Sequence, residues 1–191
     1  DSSTSRGLGD VYKRQGNALM DAYCNKYLDL PFDKGGLMAS KGKVIKTELK
    51  KLLKHDFFNE KFPKSTGKEI FNIEMLSKVL VKKNSNDVLA TLAEFTAKSI
   101  TNAISKNKHI SKNIIICGGG GKNKYLIKRI SELAKREVIL SDDEGFNIHA
   151  IESMAFAWLG YKRINKQSLK VQLGKNKFNK GLLGSITQSK Q

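Results

Sequence analysis

The chain is short of cysteine, of acidic and aromatic side chains and of long apolar runs, and each shortage excludes a class of protein. Its two cysteines, Cys24 and Cys117, are too few for a disulfide framework or a cysteine-based metal cluster, which favours a reducing compartment. No run approaches the roughly 20 apolar residues of a membrane span. No charged start followed by an apolar segment indicates a secretory signal. We therefore expect a cytoplasmic protein with no membrane partner.

Acidic residues number 18 against 35 lysines and arginines, so the net charge is +17 over 191 residues. Such a surplus is typical of nucleic-acid-binding proteins. The basic residues are spread along the whole chain, however, and the aromatic residues (8%) do not interleave with them as a single-strand stacking surface requires. Lysine and asparagine are both frequent in the chain, as in the proteins of AT-rich genomes. We therefore expect no nucleic-acid partner and keep a basic nucleic-acid-binding protein as an alternative.

The first fifteen residues, DSSTSRGLGDVYKRQ, have neither helical nor strand periodicity. Their last six residues resemble the translation of a transposon-end adapter used to prepare sequencing libraries. A natural, disordered amino terminus is the alternative. We treat residues 1–15 as foreign and expect residues 16–191 to form the folded domain. On this interpretation the natural protein continues upstream of Gly16.

Hydrophobic spacing predicts five helices in the remaining chain. They are Ala18–Leu28, Lys43–Lys54, Asn86–Lys106, Lys122–Arg136 and Ile151–Arg163. In the last of these helices the spacing predicts that one set of side chains points into the core: Ile151, Met154, Ala155, Trp158 and Leu159.

Two short β-branched runs, Asn113–Cys117 and Glu137–Ser141, are predicted to be buried strands. Because a helix lies between them, we expect a parallel pair in an α/β sheet. Loops are predicted at Asp29–Gly42, Phe62–Glu69 and Asp142–Ala150, and the tail beyond the last helix is expected to be irregular.

The stretch IIICGGGGKN ends the first strand in four consecutive glycines: Gly118, Gly119, Gly120 and Gly121. Without Cβ atoms, this backbone lets a ligand lie directly against its N–H groups. The next helix would aim its positive end at the same place. Lys122 would add charge, and Asn123 a donor and an acceptor. We interpret the turn as an anion or nucleotide site, although neither the Walker A nor the GxGxxG spacing is present. A tight turn without a ligand is the alternative.

Glu152 is the one acidic residue in the otherwise apolar stretch IESMAFAWLG. A glutamate in the first turn of a helix favourably meets the helix dipole, and that is its simplest interpretation. The other interpretation is a carboxylate that faces the nucleotide site.

Six stretches in this order resemble the anhydro-N-acetylmuramic acid kinases, bacterial sugar kinases of the actin/hexokinase-like ATPase superfamily. They are GNALMDAY, LPFDKGGLMASKG, FPKSTGKEIF, NDVLATLAEFTAKSI, ICGGGGKN and IESMAFAWLG, which together span essentially all of residues 16–164. The tail LGKNKFNKGLLGSI is similar to the family's closing segment but lacks its usual Thr-Gly pair.

The resemblance implies an α/β fold: the carboxy-terminal lobe of an actin-like (ribonuclease H-like) ATPase, without its amino-terminal lobe. It also implies an enzyme that uses ATP, Mg²⁺ and water to open the anhydro bridge of the sugar and phosphorylate it. The product would be N-acetylmuramic acid 6-phosphate, in peptidoglycan recycling. The full-length protein would be a homodimer.

The resemblance further implies roles for single residues. The glycine turn with Asn123 would receive the nucleotide. Gly16 and Asn17 match the end of a loop that reads Asp-Thr-Gly-Pro-Gly-Asn in the family, and Glu152 matches a glutamate near the sugar and phosphates. The aspartate of that loop, the family's general base, has no counterpart in this sequence, so we expect the chain alone to be inactive.

Two further interpretations stay open. The chain could come from another sugar kinase or an acetate kinase of the same superfamily, although PKSTGKE together with PFDKGG resembles only the anhydro-sugar kinases.

No metal site is predicted, because His55, His109 and His149 lack the spacing of metal ligands.

Overall fold

The computed structural model of the chain describes residues 16–60, 71–105, 113–174 and 177–186. The predicted foreign segment 1–15 and the predicted loop Phe62–Glu69 lie outside these residues. The helices of the described part are α1 (Ala18–Leu28), α2 (Leu37–Lys41), α3 (Lys46–Leu52), α4 (Lys78–Val81), α5 (Ser85–Ser105), α6 (Lys124–Ala134) and α7 (Ile151–Ile164). The strands are β1 (Ile114–Ile116), β2 (Val138–Leu140), β3 (Leu169–Gly174) and β4 (Lys177–Gly181).

Helix α5 is the centre of the core. It runs for 21 residues without a glycine or proline, and the side chains of Val88, Leu89 and Leu92 are fully buried. Helices α1, α2, α3 and α6 pack around it. Its first turn is held by Asp87, whose Oδ1 accepts a hydrogen bond from the backbone N–H of Lys43 at 2.7 Å. Burial of this long helix by its neighbours therefore forms the centre of the hydrophobic core.

The predicted helices are confirmed, with shifts at their ends. Helix α1 has the predicted bounds, and α5 is displaced by a single residue at each end. Helix α6 begins at Lys124 rather than Lys122, because residues 119–122 form a 3₁₀ turn ahead of it. The predicted loop Asp29–Gly42 contains helix α2 and a 3₁₀ turn.

Strands β1 and β2 pair in parallel, as predicted, with Ile115 opposite Ile139. The prediction that both strands are buried is wrong. Ile115 is 58% exposed and the side chains of β2 are half-buried, because the described residues place only these two strands in the sheet. Helix α6, which connects them, packs against β2.

The tail was expected to be irregular, but its described residues contain an antiparallel hairpin. Strands β3 and β4 pair with Leu169 opposite Gly181 and Lys170 opposite Lys180, and the register shifts between Gln172 and Gly174. Leu169, Val171 and Leu173 alternate with polar residues, which is the period-two pattern of a strand that the prediction of an irregular tail overlooked.

The predicted inward face of α7 is wrong. Helix α7 lies wholly within the described residues, and none of its side chains is buried. Met154 and Trp158 are each 50% exposed, whereas Ile151 and Leu159 are half-buried. In the described part of the chain, no helix combines the length and apolar character needed to cross a membrane.

A partly buried ion pair joins α5 to α6. The carboxylate of Glu94, whose side chain is 6% exposed, accepts hydrogen bonds from Arg129 Nε at 2.7 Å and Nη2 at 3.2 Å. Arg129 also bonds to Glu132, which is 44% exposed, and these carboxylates raise the pKa of the arginine. Lys98 lies 3.9 Å from Glu94.

Replacing Arg129 with methionine should lower the free energy of unfolding by about 2–4 kcal/mol, because the buried Glu94 keeps only the distant Lys98 as a partner. Replacing Glu132 with glutamine removes the exposed half of the same network and should cost less than about 1 kcal/mol. Urea unfolding followed by circular dichroism measures both changes. Equal losses in the two variants would show that Glu94 does not depend on the arginine.

A second prediction concerns Cys24, which is fully buried in α1. Burial, with smaller contributions from the Asp33 and Asp21 carboxylates, raises the pKa of its thiol from 9.0 to about 11. As the pH rises, the thiol ionises in the unfolded chain before it ionises in the folded one. The contribution of Cys24 to the free energy of unfolding is therefore complete below pH 9 and is lost as the pH approaches 11. We expect the difference in unfolding free energy between the parent and Cys24→Ala to shrink over this interval in urea titrations. A constant difference would contradict the assignment.

Candidate functional site

The candidate site lies at the glycine turn that follows the end of β1. After Ile116 and Cys117, Gly118 adopts φ +78° and ψ −178°, a conformation open essentially to glycine alone. The backbone N–H of Gly118 donates to the carbonyl of Ile148 at 2.9 Å, which fixes the turn against the loop before α7. The 3₁₀ turn Gly119–Lys122 then leads into α6.

Three of the four glycines border open space. A Cβ built at Gly118, Gly119 or Gly120 meets no atom of the described residues within 4 Å. Gly121 differs, because a Cβ there would lie 2.4 Å from Ile148 Cδ1 and 3.2 Å from Leu140 Cδ2. The first amides of a helical turn have no acceptor inside that turn. The N–H groups of Gly119 and Gly120 are therefore available at an accessible stretch of backbone, while Gly121 serves packing.

Asn123 joins the turn to the rest of the fold. Its side chain is buried, and its Oδ1 accepts a hydrogen bond from the backbone N–H of Leu126 at 3.0 Å, so that it caps α6. Its Nδ2 donates to Asn17 Oδ1 at 3.2 Å. Gly16 lies close by, since a Cβ there would be 3.4 Å from Leu126 Cδ2. The structure thus brings Gly16, Asn17 and Asn123 together beside the glycine turn.

Gly36 belongs to this neighbourhood, although the sequence analysis assigns it no role. It has φ +73°, and a Cβ on it would lie 2.2 Å from Asn123 Oδ1 and 2.6 Å from Tyr125 Cβ. Asp33 holds the segment in place, because its carboxylate accepts the backbone N–H groups of Met38 and Ala39, each at 2.9 Å. The available sequence signal is an aspartate followed by a glycine pair just before a helix.

An open pocket of about 500 Å³ adjoins the turn, between α6 and β2. Its floor is apolar, and three lysines surround it. The lining residues are Gly121, Ile127, Val138, Leu140, Lys122, Lys124 and Lys128. An apolar floor beside cationic side chains suits a ligand that combines a flat apolar group with an anion. Lys122 stands next to the glycines in the sequence, whereas Lys124 and Lys128 line the pocket only because α6 packs on β2.

Glu152 lies in the first turn of α7 and is exposed. It makes no hydrogen bond or ion pair with the described residues. It lies four residues after Ile148, whose carbonyl accepts the N–H of Gly118. Asp142 steadies that segment by accepting the backbone N–H of Ile148 at 3.0 Å. Glu152 is therefore linked to the glycine turn only through the short segment that begins at Ile148.

Asp21 is a further carboxyl group near the site. It lies one turn after Asn17 on the same face of α1, and burial raises its pKa. Among the described residues, no three histidine, cysteine, aspartate or glutamate side chains are grouped closely enough to hold a metal ion.

Comparison with known proteins decides the family. Residues 13–189 match the family described as anhydro-N-acetylmuramic acid kinase. The chain is 58% identical over 175 residues to an anhydro-N-acetylmuramic acid kinase of Gamma-proteobacterium EBAC31A08, covering 92% of this chain and 48% of that relative. It is 38% identical over 182 residues to one of Sulfurimonas denitrificans, covering 90% and 49%. It is 42% identical over 156 residues to one of Actinobacillus pleuropneumoniae serotype 7, covering 78% and 42%.

The chain belongs to the anhydro-N-acetylmuramic acid kinase family. The resemblance found in the sequence is therefore confirmed, and the mixed α/β, mostly helical structure agrees with a domain of this family. The chain spans about half the length of the curated relatives it matches.

The glycine turn gives a prediction that separates binding from folding. Gly119→Ala and Gly120→Ala place a methyl group in open space and should change the melting temperature little while weakening the binding of ADP about tenfold. Gly121→Ala should lower the free energy of unfolding by about 1–2 kcal/mol, because the added methyl group would clash with Ile148. Thermal melting and isothermal titration calorimetry with ADP measure the two effects. Unchanged ADP affinity in both the Gly119 and Gly120 variants would remove the turn from the binding site.

Proposed function

We propose that the full-length protein uses ATP and water to convert anhydro-N-acetylmuramic acid to N-acetylmuramic acid 6-phosphate. The observation that carries this proposal is the 58% identity, over 92% of this chain, to the anhydro-N-acetylmuramic acid kinase of Gamma-proteobacterium EBAC31A08. The proposal includes the fold, the carboxy-terminal lobe of an actin-like ATPase, with the nucleotide in a cleft between two lobes. It places the protein in the cytoplasm, in peptidoglycan recycling, as a homodimer.

The glycine turn supports a nucleotide site. Gly119 and Gly120 border open space at their Cβ positions, and α6 begins at Lys124, so its positive end would favour an anion bound at the turn. Lys122, Lys124 and Lys128 surround the adjoining pocket and would neutralise phosphate charge. The apolar floor of the same pocket would take the purine ring.

Asn123 would act by holding the turn rather than by touching the nucleotide, since its side chain is buried and bonded to Leu126 and Asn17. Gly16 and Asn17 would close the site from the side of α1. Glu152, exposed and without a partner in the described residues, would hydrogen-bond the sugar or orient its phosphate-accepting hydroxyl.

Bound ATP would supply the phosphoryl group that is transferred, and magnesium would enter with its phosphates. Magnesium commonly uses one or two protein carboxylates together with phosphate oxygens, which fits a described structure without a dedicated metal cluster. The residues of this chain would bind, orient and screen charge, and these are the main contributions of protein to phosphoryl transfer.

The 191-residue chain should bind ADP weakly and catalyse no turnover, because it spans about half the length of the relatives it matches and the resemblance implies that the general-base aspartate lies outside it. A general base typically contributes about 10²–10⁴-fold to rate. Radiolabelled ATP with the anhydro sugar measures phosphorylation by the chain and by the full-length protein in parallel, and we expect product from the full-length protein alone. Product formed by the chain would contradict the assignment of an incomplete site.

Variants of the full-length protein, with positions numbered as in this sequence, test the role of Glu152. Glu152→Gln should lower kcat/KM on the order of a hundredfold. Glu144→Gln alters an exposed carboxylate in the neighbouring loop and should leave the rate within about twofold. Equal rates for both variants would mean that Glu152 merely meets the helix dipole. Phosphorylation of acetate or of another sugar in preference to the anhydro sugar would assign the protein to a different kinase of the superfamily.

A further inference from the structure

Helix α7 is apolar on most of its surface and yet lies in solvent. Five of its large hydrophobic side chains are between 47% and 71% exposed: Met154, Phe156, Trp158, Tyr161 and Ile164. Soluble proteins seldom leave so many large apolar groups of one helix uncovered, and a helix that is apolar on nearly every side is normally buried.

Three of these side chains form a continuous stripe. Met154, Trp158 and Tyr161 are spaced i, i+4 and i+7, which places them on one face of α7. They are 50%, 50% and 58% exposed. Lys162 Nζ lies 5.4 Å from the centroid of the Trp158 ring, so a cation touches the indole but leaves half of it in solvent. The spacing is that of a helix that docks its apolar face in a groove.

The position of α7 indicates what covers the stripe. The helix starts three residues after Ile148, whose carbonyl holds Gly118 of the glycine turn, and its first turn carries Glu152. One end of α7 therefore adjoins the proposed site, where the other wall of the cleft must lie. The matched relatives are about twice as long as the segment they share with this chain, so a full-length member contains enough further chain to form that wall.

We propose that the stripe of Met154, Trp158 and Tyr161 is the surface on which the other half of the full-length kinase packs. This inference rests on the proposed function, because it uses the two-lobed cleft. Covering the stripe fixes the helix that carries Glu152 and so completes the site. The expected partner surface is a groove rich in apolar side chains with an acidic group near Lys162.

Hydroxyl-radical footprinting reads this surface directly, because methionine, tryptophan and tyrosine side chains oxidise readily when exposed. We expect oxidation of Met154, Trp158 and Tyr161 to be at least about fivefold slower in the full-length protein than in the 191-residue chain, in proportion to the lost exposure. Tyr27, which is 42% exposed on α1, serves as the control and should oxidise equally in both. Equal oxidation of the stripe in both proteins would overturn the proposal.

A matched pair of variants tests the energetics. Met154→Ser together with Trp158→Ser should lower the melting temperature of the full-length protein by roughly 5 °C or more, and that of the 191-residue chain by about 1 °C or less. Losses of equal size would show that the stripe stabilises the chain itself, against the proposal.

The same samples separate a second copy from the other half of the kinase. Protection that rises with protein concentration and accompanies a dimer in analytical ultracentrifugation would assign the stripe to a second copy and overturn the proposal. Protection that stays constant while dilution changes the dimer fraction supports the proposal. Neither readout depends on turnover, so a kinase specific for another substrate would contradict the proposed function and leave this result intact.

Discussion

The candidate site depends on one buried carboxamide. Asn123 is 4% exposed, accepts the N–H of Leu126 and donates to Asn17, which is 106 residues earlier in the chain. A single side chain therefore ends the glycine turn, begins α6 and ties both to the start of α1. Aspartate has no amide donor for Asn17, and serine is too short to make both bonds. The packing of Gly36 against the same oxygen follows from this bond, since any side chain at Gly36 would displace the carboxamide.

The glycines around the site therefore perform two different tasks. Gly36 and Gly121 lack side chains because neighbouring atoms occupy the space, whereas Gly119 and Gly120 border solvent. Sequence alone cannot separate these cases, because both are written as glycine. A run of four such residues can thus contain both the accessible backbone of a binding site and the close contact that holds it in place.

Local periodicity predicted α1 and α5 almost to the residue, since an apolar stripe and the absence of breakers are local properties of the sequence. Long-range contacts were not predictable in this way. Asn123 could be assigned to the site, but its bond to Asn17 depends on how α1 packs. The spacing in α7 predicted a face in the core, and this was wrong, because periodicity carries no information on what covers a helix and Met154 and Trp158 are exposed. The site residues themselves came from the family resemblance together with the glycine turn, and the pocket lysines became evident only when α6 was placed on β2.

The packing explains why the chain has a well-formed core and an incomplete site together. Helix α5 is surrounded by α1, α2, α3 and α6 of the same chain, so its apolar side chains are buried within the described residues. The two-stranded sheet and α7 lack such neighbours among the described residues, as the exposure of Ile115 and Trp158 indicates. The glycine turn lies at the boundary, with Asn123 anchored in the packed part and Gly118 bonded to the segment that leads into α7. The exposed stripe of α7 begins at Met154, six residues after the Ile148 carbonyl that shapes the turn, so a surface packed on the stripe would be linked to the geometry of the proposed site through this short segment.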